Sequence, residues 1–140
     1  MCKNQSEKYR ELRGKLQDAV EEFQSWLEKS KKLLLHDFGN NKTVSVKEKA
    51  QRYAILLIIN KINIEFTELD QLTLTCETPA GTEIQSTIFE DRENESFLAM
   101  LKRIEDEIKK VAKGQHLISI KDIDDLFSSL KDAIQQFSKI

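Results

Sequence analysis

The amino-acid sequence predicts a mainly α fold: an antiparallel bundle of three or four helices, with a small β-hairpin open within residues 72–89. Three observations lead there. Four stretches carry apolar residues at alternating spacings of three and four, the period of one helix face. Charged residues make up 33% of the chain against only 4 Gly and 1 Pro, which suits long solvated helices better than a loop-rich or disordered chain. The 140 residues are enough for one domain with a real core. That domain is placed at 7–140, behind a polar lead at 1–6.

The first helix is expected over about 7–36. Tyr9, Leu12, Leu16, Ala19, Phe23 and Trp26 alternate three and four apart, and Ser30 and Leu33 continue the rhythm. Val20, Leu27 and Leu34 add a second row seven apart, so the stripe is wide enough to need at least two packing partners. Phe23, Trp26 and Leu27 are the expected core anchors. Trp26 also admits a second reading, as a hot spot facing a partner, if no helix covers it. Gly39, Asn40 and Asn41 follow as stop signals. Lys29, Lys31 and Lys32 suit the negative end of the helix dipole and read as a solvated face.

A second helix is placed at about 45–69. Ser45 and Glu48 form a capping-box pattern at its start. Ala50, Tyr53, Ala54 and Leu57 begin its apolar face, and Ala54–Ile59 is apolar all round, which marks a central core element. The boundary at 69 rests on Ile55, Ile59, Ile62, Phe66 and Leu69, spaced four, three, four, three. Against it, Ile62–Phe66 alternates apolar with polar, as does Leu72–Cys76, and Thr is dense there. Thr78-Pro79-Ala80-Gly81 reads as a turn, after which Thr82–Phe89 could return as a strand.

The third helix is expected over about 93–113. Phe97, Leu101, Ile104, Ile108 and Val111 give its face, Lys109, Lys110 and Lys113 load its end, and Gly114 stops it. Glu105 with Lys109, and Glu107 with Arg103, are its favourable charge pairs. The fourth helix is placed at about 119–138, opened by Ser119 and Asp122. Ile120, Ile123, Phe127, Leu130, Ile134 and Phe137 form its stripe, widened by Leu126, Ala133 and Ile140. A C-terminal stripe this apolar is either docked on the bundle or left as an association site. Phe127, Leu130, Ile134 and Phe137 are therefore the candidate partner-binding residues.

Leu16–Leu35 resembles helix A of a spectrin-type repeat, as in the spectrin, dystrophin and nesprin families. Phe23, Trp26-Leu27 and Leu33-Leu34 reproduce its aromatic, Trp-Leu and leucine pattern. The segments Ser45–Cys76 and Thr82–Val111 are of similar length to the first helix. The resemblance implies a left-handed triple-helical coiled coil that serves as a spacer or docking platform, and it implies no particular binding residues.

Signatures of chemistry are missing from the sequence. His36 and His116 sit in separate predicted loops with no ligand spacing. There is no Gly-rich phosphate loop, nucleophile elbow or HExxH string. Asp124-Asp125 and Glu21-Glu22 read as solvated faces. No catalytic residue, metal or cofactor is expected, and the chain is not expected to be an enzyme. With 22 Lys and Arg against 24 Asp and Glu, the net charge of −2 draws it neither to nucleic acid nor to an anionic membrane. The longest apolar run, Ala54–Ile59, is too short to span a bilayer.

Cys2 and Cys76 form no redox or metal spacing and read as free thiols in a cytoplasmic protein. The alternative is a bacterial lipoprotein domain lipidated at Cys2, tethered to a membrane at the cell surface. Asn4, Asn41 and Asn94 head glycosylation triplets that read as chance matches in polar segments. The expected function is a non-catalytic structural or protein-interaction module, with a protein partner and self-association open. An α+β ligand-binding domain or enzyme built on the hairpin is the remaining alternative.

Overall fold

The computed structural model describes residues 3–36, 44–67, 71–77, 83–87, 91–115 and 117–138. It is a mainly helical bundle with a small antiparallel sheet. The elements run α1 (Lys3–His36), α2 (Val46–Ile59), β1 (Ile62–Phe66), β2 (Leu72–Glu77), β3 (Glu83–Thr87), α3 (Asp91–Ala112) and α4 (Ile120–Ser138). The strand order is β1-β2-β3.

Three of the helices follow their apolar rhythms closely. α1 starts at Lys3, inside the expected polar lead, and ends at His36 as expected. Asn4 and Asn94 lie in α1 and α3, while Cys2, Asn41, His116 and the Thr78–Gly81 turn lie outside the described residues. Along α1 the buried stripe drifts. Leu12, Leu16, Ala19, Val20 and Phe23 are buried, then Leu27 and Leu34, while Leu33 is exposed. A straight helix falls about 20° behind a strict seven-residue repeat with each heptad, so the core-facing row passes from Trp26 and Leu33 to Leu27 and Leu34.

The expected second helix, 45–69, is the main correction. It begins as read: the Ser45 hydroxyl accepts the Glu48 N–H at 3.1 Å. It ends at Ile59, where the Asn60 N–H still reaches the Leu56 carbonyl at 3.0 Å. Ile62–Phe66 then runs as a strand, with Ile62 opposite Cys76 and Ile64 opposite Leu74. The helical spacing of Ile55, Ile59, Ile62 and Phe66 was compatible with both states. The strand prevails because alternation gives Ile62 and Ile64 a buried side and Asn63 and Glu65 a solvated one. The hairpin of β2 and β3 thus becomes a three-stranded meander. The segment Ser45–Cys76 is therefore one helix and two strands, and Thr82–Val111 a strand and a helix.

The topology is up-down-up-down. α4 runs antiparallel to α1, with Phe127 edge-on to Phe23 at 5.0 Å and Phe137 beside Tyr9 at 5.8 Å. α3 runs antiparallel to α4, with Glu105 bound to Lys131 and Lys109 to Asp124. The remaining side of the bundle is shared. α2 packs on α1 and α3 at one end, while the sheet closes the other end with β1 on α1 and β3 on α3. Gln24 donates to the Ile64 carbonyl at 2.6 Å, covering part of the edge strand, and Arg13 lies 5.1 Å from the Phe66 ring centre.

α2 is not the central element that its apolar run suggested. Arg52, Ile55, Leu56 and Ile59 form its buried side. The side that begins with Ala50, Tyr53 and Leu57 faces solvent. A run that is apolar all round gives the helix no preferred rotation, and the Glu48–Arg52 pair at 3.1 Å lets a charged residue turn inward.

Candidate docking surface

The four residues singled out on the last helix do not form a surface. Phe127, Leu130 and Ile134 are fully buried and Phe137 nearly so. Their stripe is docked on α1, where the Phe23, Phe127 and Trp26 rings and the Tyr9, Phe66 and Phe137 rings form two aromatic groups. The chain's own first helix thus occupies the site that a partner would need. Among the expected core anchors, Phe23 and Leu27 are buried, and Trp26 is half-buried against Phe23.

Among the described residues, an aligned apolar row lies on α2, and Leu33 and Leu35 are exposed as well near the C-terminal end of α1. Val46 is 84% exposed, Tyr53 52% and Leu57 43%, and Ala50 is exposed between them. Their spacings are four, three and four, so they share one helix face. The stripe from Val46 to Leu57 is about 16 Å long, three turns of helix. Single exposed apolar residues are ordinary, but an aligned row on the solvent side of one helix is not. The opposite side of the helix, with Arg52, Ile55, Leu56 and Ile59, is buried in the core.

On α2 itself, the charge flanking this row has one sign. Lys47 and Lys49 flank it on opposite sides by the helical repeat, and exposed Lys61 follows the helix beyond Leu57. Glu48, the acid of α2, is on the inward side in its pair with Arg52. Lys29 and Lys32 near the C-terminal end of α1, Lys110 near that of α3 and Lys113 just after it are also exposed. Gln51 donates to the Val111 and Lys113 carbonyls at 2.9 and 2.6 Å, tying the start of α2 to the end of α3. A cavity of about 640 Å³ opens there, lined by Lys47, Glu48, Gln51, Lys113 and Gln115 among others. A shallower groove of about 310 Å³ lies between α1 and α4, beside Asp18, Glu22 and Asp132. Neither adjoins the sheet.

A separate cluster joins α3 to α4. The Glu105 carboxylate, almost fully buried, accepts from Lys109 at 2.8 Å and Lys131 at 2.6 Å, and Lys109 also binds Asp124. Burial raises the Glu105 pKa, but the two ammonium groups outweigh it and hold the carboxyl below its ordinary value. The hydrogen bond to Asp124, then that to Glu105, pushes Lys109 up to about 12. The Glu105–Lys109 pair was legible as an i,i+4 spacing, whereas Lys131 and Asp124 were not. The cluster is an ion-pair staple with each partner engaged, and its chemistry is structural.

Among the described residues, no group of three His, Cys, Asp or Glu could hold a metal, and no helix is long and apolar enough to cross a membrane. His36 closes α1. Cys76 is half-buried against the core. In comparisons with known proteins, no family model, no curated protein and no solved structure matches the chain.

Proposed function

We propose that the chain is a non-catalytic protein-interaction module, a rigid platform whose docking face is the solvent side of α2. The observation that carries this reading is the aligned exposure of Val46, Ala50, Tyr53 and Leu57 on a helix whose other side is buried. A row set on a helix that is already folded adds no backbone ordering cost on binding, which favours a docking role.

Site-specific photo-crosslinking tests the reading. A crosslinker placed at position 53 should give a discrete protein adduct in cell extract, and Leu57→Asp in the same chain should remove it. A crosslinker at exposed position 135 on α4 should not give that adduct. Identical adducts from both positions, or none from position 53, would contradict the proposal.

A further inference from the structure

Resting on the docking role of α2, we infer that its occupant is an acidic amphipathic helix of about three turns, with an apolar stripe flanked by Asp or Glu. The length follows from the row Val46–Leu57, and the stripe from its four aligned apolar positions. The acidic flanks follow from charge. Lys47 and Lys49 border the row on its two sides and Lys61 borders its far end, while the carboxylate of Glu48 is turned inward onto Arg52. A helix laid along the row meets cations on both flanks, and carboxylates at its own flanking positions complement them.

The same charges argue against other occupants. Two copies of α2 packed face to face, in either direction, set lysines against lysines with no acid on the outward face to answer them. An anionic bilayer would attract the three lysines. It would be held by only three sizeable apolar side chains, on a chain whose net charge is −2.

The full chain is titrated by fluorescence anisotropy with two labelled helical peptides of three turns. Both carry the same Leu stripe, and one has Glu flanks where the other has Lys. The Glu peptide should bind and the Lys peptide should not. Lys47→Glu/Lys49→Glu should weaken the Glu peptide about tenfold and admit the Lys peptide. Tyr53→Ser/Leu57→Ser should abolish binding of the Glu peptide.

Suppose both peptides bind equally, charge reversal changes nothing, and Tyr53→Ser/Leu57→Ser still abolishes binding. The docking face then stands and the acidic occupant is overturned. If neither peptide binds and crosslinking from position 53 also fails, both readings fall. Binding to phosphatidylserine vesicles in place of the Glu peptide overturns the proposal. So does a dimer, seen by sedimentation, that Tyr53→Ser/Leu57→Ser dissociates.

Discussion

The Lys131 ammonium on α4 donates a 2.6 Å hydrogen bond to the buried Glu105 carboxylate on α3, which Lys109 also holds. Removing the acid leaves two lysines facing each other across the helix pair, although both are about a quarter exposed and can turn toward water. Glu105→Ala should therefore cost about 2 kcal/mol, less than for a fully buried pair. Lys131→Met, which leaves Lys109 in place, should cost about 1 kcal/mol. Urea unfolding of the two single variants and the double variant gives the coupling directly.

The same cluster sets a pH dependence. The folded pKa of Glu105 lies below its ordinary 4.5, so its contribution is fully present above that pH and is lost as pH falls through the depressed value. Lys109 is shifted the other way: its contribution is complete below 10.5 and lost as pH rises through about 12. Urea midpoints against pH should show wild type losing stability below pH 4.5 more steeply than Glu105→Gln. Equal acid slopes would remove Glu105 from the account.

Gln24 on α1 closes part of the open edge of β1 through the Ile64 carbonyl. Gln24→Leu should lower stability by about 1 kcal/mol and speed amide exchange in Ile62–Phe66 ahead of α3 and α4. Unchanged exchange in β1 would show that the edge is held by packing alone.

Gly114 takes φ +85° where the chain leaves α3, and a Cβ there would meet nothing within 4 Å. The cost of Gly114→Ala is therefore one of backbone conformation, about 1 kcal/mol, with Gly114→Asn milder. Thermal unfolding of the pair checks the order.

These predictions separate what the sequence made legible from what it did not. α1, α3 and α4 were readable because each stripe of threes and fours has one buried side, as Phe97, Leu101, Ile104 and Ile108 show. The break after Ile59 was not, because Ile62 and Phe66 fit a helix as well as a strand. Their state is decided by pairing with Leu72–Cys76, a non-local relation. The rotation of α2 was hidden for a related reason. Ala54–Ile59 is apolar on every side, so only tertiary packing selects Ile55 and Ile59 for the core and leaves Leu57 outside. The proposed docking face reads in the sequence as a core face, and its flanking lysines are the hint of solvent there.

Substitutions on the two sides of that distinction should differ sharply. Phe127→Ala removes a fully buried ring from the α1–α4 interface and should cost about 4 kcal/mol. Tyr53→Ser/Leu57→Ser removes exposed side chains and should change stability by under about 1 kcal/mol. A large loss of stability in the second variant would mean that the outward face of α2 serves folding.

The most direct test is an amide NMR titration of the full chain with the Glu-flanked helical peptide. The account predicts shifts centred on Val46, Lys47, Lys49, Ala50, Tyr53, Leu57 and Lys61, with α4 and the outer residues of the sheet unmoved. Shifts centred on the groove between α1 and α4, or no shifts at a peptide excess, would contradict it.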